Sequence, residues 1–162
     1  MKEIVTVWRL YARHLARTAL SGEGATHYGF RWNLPGTRVI YCGESRALAA
    51  IESLVHVQAA EDLAAVQWQL TALLLPSAWI ERPRQYPAHW DLYPYSRSTQ
   101  RFGSEWAHAR SSVALQVPSA VVAGEFNYVL NPEHPDFSKI KILPGVRFQF
   151  DARLFREGSV QT

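Results

Sequence analysis

Apolar and polar residues alternate along one stretch of the chain, and short apolar runs recur elsewhere. Between residues 66 and 74 every second position is apolar, and Gln67, Gln69 and Thr71 stand between them. An alternation with a period of two is typical of a strand with one buried face. Runs rich in β-branched and aromatic residues predict further strands at 4–10, 37–42, 113–117, 126–130, 140–143 and 146–150.

The clearest helical pattern begins after Ser45 and is predicted to extend over residues 46–60. Ser45 is suited to cap this helix, because a short hydroxyl side chain accepts a hydrogen bond from a free N–H group in the first turn. Leu48, Ile51 and Val55 recur at the spacing of one buried stripe. We therefore expect this helix to pack its apolar stripe on the sheet.

The remaining segments suggest one more helix and two irregular connections. The second helix is predicted over 98–110, while the glycines in 21–29 and the prolines in 81–95 favour loops. The chain has no β-α-β-α alternation, no internal repeat and no linker-like segment. Strands mixed with two or three helices indicate the α+β class. We expect a single domain over residues 1–162, built on a mixed, mainly antiparallel sheet.

Composition supports a folded protein of the cytoplasm. The sequence has 162 residues, of which 48% are hydrophobic and 19% are charged, and this excludes a disordered or low-complexity chain. The single cysteine, Cys42, excludes an intrachain disulfide and favours a buried thiol in a reducing compartment. Neither the N-terminus, interrupted by Glu3 and Arg9, nor the apolar stretch 70–80 has the length of a signal-peptide core or a membrane span.

The net charge and the absence of common motifs exclude several classes of function. The formal net charge is +3, far short of the clustered lysines and arginines of a nucleic-acid-binding surface. The sequence has no GxGxxG, Walker, HExxH or GxSxG motif, and its six histidines have no metal-ligand spacing. We therefore expect no metal, no direct nucleic-acid binding and no glycine-rich phosphate loop.

One pair of residues stands out from spacing alone. Glu52 and His56 are four residues apart, so they share one face of the predicted helix, at the edge of its buried stripe. Such an edge is where a helix borders a cleft. From the residues alone a solvated glutamate is the more common interpretation, because most glutamates lie on the surface.

Several segments have an unusual combination of residues. They are residues 29–33 (GFRWN), 39–45 (VIYCGES), 47–56 (ALAAIESLVH), 117–120 (VPSA) and 127–136 (NYVLNPEHPD). In this order and spacing they closely resemble the RES domain, the toxin of bacterial RES–Xre toxin–antitoxin modules. The family is named for an arginine, a glutamate and a serine, and the matching positions are Arg31, Glu52 and Ser119. Residues 8–10 and 150–155 resemble the family's ends, so the resemblance covers essentially the whole chain.

The resemblance implies a fold and an activity. The fold would be similar to that of the diphtheria-toxin-like ADP-ribosyltransferases, with a split β-sheet core. The substrate would be NAD, broken between nicotinamide and ribose, and ADP-ribose would pass to an acceptor. A cellular protein is the favoured acceptor; water or phosphate, in an NAD glycohydrolase or phosphorylase, is the alternative. An Xre-family antitoxin would cover the active site.

The resemblance also gives roles to the polar residues of these segments. Glu52 would stabilise the positive charge that develops on ribose. Arg31 would bind the pyrophosphate, and Arg9 is a second candidate, although a buried ion pair explains Arg9 equally well. The Tyr41 ring would stack on nicotinamide or its hydroxyl would bond ribose; otherwise it is a core tyrosine.

The assignments of several further residues stay open at the sequence level. Ser119 would orient ribose or the carboxamide, or else form a turn. His56 would act as a general base toward the acceptor, or orient Glu52. Asn127 is a candidate for contact with NAD. The residues with weaker cases are Arg46 as a phosphate contact, Asn131 as a turn residue, and Tyr93 and Tyr95 as a pocket wall.

Two other classes of function compete with this interpretation. Glu52 and His56 would suit a small endoribonuclease toxin, although RNA binding is expected to need more positive charge. A non-enzymatic binding module would use the same polar residues only for structure. Replacing Glu52 by alanine separates the three classes, since only an NAD-consuming enzyme would lose NAD turnover through this change.

Overall fold

The computed structural model describes residues 3–57 and 60–155, which form a mixed α+β fold as predicted. The strands are β1 (Ile4–Ala12), β2 (Ile40–Gly43), β3 (Trp68–Pro76), β4 (Ile80–Glu81), β5 (Ala114–Pro118), β6 (Phe126–Leu130), β7 (Lys141–Ile142) and β8 (Val146–Phe148). The helices are α1 (Glu23–Tyr28), α2 (Arg46–Leu54), α3 (Ala60–Ala65) and α4 (Arg97–Ala109). Among the described residues no helix is long and apolar enough to cross a membrane.

The eight strands form one sheet that is nearly divided in two. The strand order is β4-β5-β6-β2-β1-β3-β7, and β8 also pairs with β3. Among the strands that the structure describes, only β4 and β5 run parallel. The β1–β3 pair extends from Ile4↔Pro76 to Ala12↔Trp68, whereas β1 and β2 share the single registered pair Trp8↔Gly43. The two halves of the sheet therefore meet at one point, and side chains from both border the cleft described below.

Most predicted strands are confirmed to within three residues at each end. The short strand β4 was not expected, since it opens the proline-rich connection. The predicted half-exposed face of β3 is wrong in the middle of the strand, where Thr71 is buried. There the Thr71 hydroxyl lies 3.0 Å from the Tyr11 hydroxyl, so a polar group is accommodated inside the core.

The loop predicted over 21–29 is wrong, because α1 occupies most of it. Gly22 and Gly29 lie at the two ends of this helix with φ of 72° and 67°, a left-handed region that glycine adopts without steric cost. Ser21 Oγ accepts a hydrogen bond from the Glu23 N–H at the helix start. Glycines that read as loop signals therefore begin and end a short helix here.

The helix predicted over 46–60 is shorter than expected. Ser45 does cap it, since its Oγ accepts a hydrogen bond from Leu48 N at 3.0 Å, but α2 ends at Leu54. Residues 58 and 59 lie outside the described residues, and a separate helix, α3, follows them. The predicted buried stripe is confirmed only at Leu48; Ile51 and Val55 are 38% and 55% exposed.

Two glycines allow elements to approach the sheet closely enough to shape the site. A Cβ on Gly43 of β2 would lie 2.8 Å from Ala49 N in α2. A Cβ on Gly103 of α4 would lie 1.9 Å from the carbonyl oxygen of Trp32. Contacts this short leave no room for a side chain. Gly43 thus sets the position of α2, and Gly103 sets that of the segment 30–33.

Candidate functional site

A cleft of about 880 Å³ opens where the two halves of the sheet meet. Its volume lies within the usual range for ligand-binding cavities, roughly 300–1,000 Å³. It is bordered by β1, β2, α1, α2 and the segments around 91–95 and 118–127. Six of the seven predicted site residues line it: Arg9, Arg31, Tyr41, Glu52, His56 and Asn127. The seventh, Ser119, is buried behind the cleft wall and touches Glu52.

The Glu52 carboxylate is held by one of its two oxygens. The Ser119 hydroxyl donates a hydrogen bond to Glu52 Oε1 at 2.7 Å, and Asn127 Nδ2 donates another to the same oxygen at 2.6 Å. Ser119 Oγ in turn accepts hydrogen bonds from the N–H groups of Val121 and Val122. Since those bonds use the lone pairs of the hydroxyl, its single proton is directed at Glu52.

Tyr41 belongs to a closed network next to the cleft. Its hydroxyl donates to Asn33 Oδ1 at 2.7 Å and accepts from Trp32 N at 3.0 Å. Asn33 is fully buried and donates from Nδ2 to the Ala25 carbonyl at 2.9 Å. Burial raises the pKa of Tyr41 far above its ordinary value, so the phenol stays protonated. This network fixes the turn that carries Arg31.

Asn33 also shapes the site, although its residue type and spacing predict no role for it there. Besides Tyr41, its Oδ1 accepts a hydrogen bond from Phe30 N at 3.1 Å, which closes the turn 30–33. An asparagine beside a Pro-Gly pair suggests a turn from sequence, but nothing in the spacing links it to Tyr41. The one sequence feature that could have pointed to Asn33 is its place in the segment 29–33, which carries part of the family resemblance.

Arg31 borders the cleft and also bonds the segment around residues 90–92. Nη1 donates to the carbonyl oxygens of Trp90 and Leu92 at 2.8 and 2.7 Å, and the guanidinium lies 5.0 Å from the centre of the Tyr95 ring. No carboxylate of the described residues lies within salt-bridge distance of Arg31. Tyr93, which is 82% exposed, borders the cleft from the same segment. The positive charge of Arg31, which pairs with no described carboxylate, is therefore available to an anionic ligand.

Arg9 is a second cation of this kind. Its Nη1 donates to the Tyr41 carbonyl at 3.1 Å and its Nε to the Ala19 carbonyl at 3.4 Å. Burial lowers its pKa, although the neighbouring Cys42 acts in the opposite direction. The buried ion pair considered for Arg9 is not formed with any described carboxylate. Cys42 is buried as predicted, and burial raises the pKa of its thiol to about 12.

His56 lies on the cleft one turn beyond Glu52. Partial burial lowers the pKa of its imidazole, the Glu52 charge raises it, and Arg31 lowers it. The ring still reaches solvent and stands edge-on to Phe30, with centroids 5.7 Å apart. The neutral imidazole is therefore the main form at pH 7, and it has a free path to a ligand in the cleft.

The residues with weaker cases take mainly structural places. The guanidinium of Arg46 is exposed and lies 4.4 Å from the centre of the Trp8 ring. Asn131 is fully buried, donates to the Ala107 carbonyl at 2.7 Å and accepts from Glu133 N, which is the turn role expected of it. Within 3–57 and 60–155 no group of three or more His, Cys, Asp or Glu side chains could hold a metal ion.

The sequence that forms this cleft also matches a known protein family. A family model described as the RES domain matches residues 6–151. The chain belongs to the RES domain family. The match includes every residue of the cleft named above.

Relatives of this RES domain are similar over almost their full length. A protein of Sphingobium sp. strain YBL2 described as "Prs ADP-ribosylating toxin" is 36% identical over 93% of this chain and 96% of the relative. Proteins described as "Toxin Res" from Yersinia enterocolitica and Photorhabdus laumondii are 33% and 35% identical, over 91% and 93% of this chain and 98% and 97% of theirs.

A solved structure has the same fold as this RES domain. It is a chain of the M. tuberculosis MbcT–MbcA toxin–antitoxin complex, with a TM-score of 0.68 over 92% of this chain and 86% of that chain. At 20% identity the likeness concerns the fold alone. The α+β class predicted from the sequence is thereby confirmed by a second, independent comparison.

Proposed function

We propose that the whole chain acts as one RES domain and is the toxin of a type II toxin–antitoxin module. It would break the bond between nicotinamide and ribose in NAD, in the cytoplasm, and transfer ADP-ribose to a side chain of a cellular protein. The observation that carries this proposal is the hydrogen-bonded carboxylate of Glu52 in the same cleft as Arg9 and Arg31, two cations that pair with no carboxylate of the described residues. The ADP-ribosylating activity in the name of the Sphingobium relative supports the choice of reaction.

The two arginines suit the anionic centre of NAD. Its pyrophosphate carries two negative charges, and an arginine can bind two phosphate oxygens at once. Arg31 retains Nε and Nη2 for a ligand, because its bonds to Trp90 and Leu92 use only Nη1. Arg9 is partly buried, and this strengthens its attraction for an anion, since few water molecules screen it.

Glu52 suits the charge that develops during the reaction. When the C1′–N bond breaks, its electron pair moves to the ring nitrogen, and nicotinamide leaves as a neutral molecule. The ribose becomes a cation of oxocarbenium character. A carboxylate fixed beside it stabilises that cation without having to reorient, and one preorganised group of this kind contributes about 10²–10³-fold in rate. The Ser119 hydroxyl donates a hydrogen bond to Glu52. This favours a role for Ser119 in positioning that carboxylate over direct contact between Ser119 and ribose.

His56 suits the second half of the reaction. The acceptor attacks C1′, forms the new bond and must lose a proton. A neutral imidazole takes up that proton, and the lowered pKa of His56 keeps it neutral at pH 7. In this assignment His56 determines how well a protein side chain reacts, while nicotinamide release depends mainly on Glu52.

An antitoxin partner is part of the proposal. The similar solved structure is part of a toxin–antitoxin complex, which supports a partner of this class. The cleft mouth exposes Tyr28, Val55 and Tyr93 at 80%, 55% and 82%. Exposed apolar residues around a cavity are typical of a surface that a protein covers. We expect an Xre-family antitoxin to cover this mouth.

The test follows both halves of the NAD molecule. Purified, antitoxin-free protein is mixed with NAD labelled in its adenylate part, with and without cell lysate and with and without phosphate. Nicotinamide release together with label on a protein band is the expected result, and the band identifies the acceptor. Label that stays in small molecules would replace protein transfer by hydrolysis or, if phosphate is needed, by phosphorolysis. No nicotinamide release from folded protein would overturn the NAD reaction.

A further inference from the structure

The contacts of Glu52 are asymmetric. Both hydrogen bonds that its carboxylate accepts from the described residues go to Oε1, one from Ser119 and one from Asn127. The bond from Asn127 Nδ2, at 2.6 Å, is the shorter of the two. Hydrogen bonds to an ionised acceptor are shorter and stronger than those between neutral groups.

Asn127 lies in a strand that has a neighbouring strand on each side. It lies in β6, where it pairs with Gly43 of β2 on one side and with Val117 of β5 on the other. Its backbone is therefore fixed by strands on both sides. Gly43 also lets α2 approach the sheet, which brings Glu52 within reach of the Asn127 amide.

A glutamate on a helix needs such a hold. Its side chain has several rotatable bonds, and a free carboxylate would occupy many positions in the cleft. Donors that come from a central strand and from a backbone-anchored serine restrict it to one. One of the two N–H groups of the Asn127 amide is used in this contact, which gives Asn127 a role other than the contact to NAD expected from the sequence.

We propose that Asn127 is a positioning residue that, with Ser119, anchors Glu52 through Oε1 and leaves Oε2 as the oxygen that faces the ribose. This inference rests on the proposed NAD reaction. It makes the orientation of one carboxylate depend on a residue 75 positions away in the sequence.

The kinetic test separates positioning from substrate binding. Asn127→Ala is expected to lower kcat for nicotinamide release by up to about 100-fold, the usual cost of a misplaced catalytic group, with KM for NAD nearly unchanged. Gln116→Ala is the matched control, because this side-chain amide on β5 bonds Tyr128 and does not border the cleft. It should keep wild-type kcat and KM. A raised KM with unchanged kcat in Asn127→Ala would assign Asn127 to NAD binding and overturn the proposal.

A second variant gives a signature that a purely structural role would not produce. Asn127→Asp places a second carboxyl group against Glu52 Oε1, and two carboxyl groups at this distance share a proton. The acid limb of the kcat–pH profile is therefore expected to move to higher pH, by about one unit or more. An unchanged limb in a folded, active variant would contradict direct contact between the two side chains.

A crystallographic comparison keeps the inference testable without activity. Crystal structures of the wild type and Asn127→Ala should show Glu52 in one conformation in the first and displaced or multiple in the second. An unmoved Glu52 in Asn127→Ala would overturn the positioning role whatever the activity. If the wild type released no nicotinamide, the proposed function would fail, and the two structures would still decide how Glu52 is held.

Discussion

Two polar clusters border the cleft, and they differ in what they leave unsatisfied. The tyrosine cluster, formed by Trp32, Asn33 and Tyr41, matches its donors and acceptors among neutral groups. The carboxylate cluster, formed by Glu52, Ser119 and Asn127, directs two donors to one oxygen of a charged group that borders open space.

This difference gives the two clusters different roles: the tyrosine cluster fixes the shape of the site, and the carboxylate cluster takes part in its chemistry. A neutral network whose bonds are closed has nothing left to offer a ligand, so its contribution is a fixed turn and the position of Arg31. A held carboxylate with an unused oxygen still attracts positive charge. We therefore expect changes in the tyrosine cluster to appear mainly as lost stability, and changes in the carboxylate cluster mainly as lost activity.

The largest expected effect comes from Glu52→Gln. The amide keeps the size of the side chain but removes the charge that stabilises the ribose cation, so nicotinamide release should fall about 10³-fold. Thermal unfolding should stay near that of the wild type, since Glu52 is only partly buried. The measurement is the initial rate of nicotinamide release at saturating NAD.

Glu105→Gln is the control for this change, because Glu105 is exposed on α4 and away from the cleft. It should keep the wild-type rate. Should Glu52→Gln retain the wild-type rate as well, the carboxylate cluster would lose its proposed role, and the contrast between the two clusters would fail.

Gly103→Ala should destabilise the protein by about 3 kcal/mol, at the upper end of the usual cost of overpacking. The new methyl group would collide with the Trp32 carbonyl and push α4 away from the tyrosine cluster. The measurement is the free energy of unfolding in urea.

Gly24→Ala provides the opposite case. A Cβ on Gly24, inside α1, meets no atom within 4 Å. Alanine should therefore stabilise the protein by about 0.5–1 kcal/mol through its helix propensity and the smaller entropy of the unfolded chain. Equal effects of the two alanines would mean that the close approach at Gly103 does not matter.

Tyr41→Phe tests the closed network directly. It removes the donor to Asn33 and the acceptor for Trp32 N, and an unsatisfied buried group costs about 1–3 kcal/mol. Nicotinamide release measured below the unfolding transition should fall far less than in Glu52→Gln. Tyr11→Phe is the control, because it removes a hydroxyl that bonds Thr71 away from the cleft and should leave nicotinamide release unchanged. A loss of activity as large as that of Glu52→Gln would place the Tyr41 hydroxyl in the chemistry.

Local features of the fold could be predicted from the sequence because neighbouring residues determine them. Ser45 caps α2 as expected, since its partner is three residues away. Cys42 is buried at the end of an apolar run. Helix α1 was missed because glycine was counted as a loop signal, although Gly22 and Gly29 stand at its ends.

The assembly of the site could not be predicted in the same way. The residue types of the cleft came from the resemblance to a family, but their contacts depend on the sheet register. Ser119 and Asn127 reach Glu52 from 67 and 75 positions away. Val55 appeared to belong to a buried stripe, yet it borders the cleft, because periodicity shows which face is apolar and not what covers it.

His56 gives the smallest expected effect and links the two measures, stability and chemistry. Its pKa is lowered in the folded protein, chiefly by burial, so below about pH 6.5 the unfolded chain binds a proton more readily than the folded one. The stability that this histidine contributes is therefore full above pH 6.5 and is lost as the pH falls through 6.5 toward the folded pKa. The loss should be small, because the ring reaches solvent.

His56→Gln should flatten this part of the pH dependence when urea unfolding is compared at pH 7.5 and pH 5.5. An equal decline in wild type and variant would assign the pH dependence to other groups and would leave His56 no more perturbed than a surface histidine.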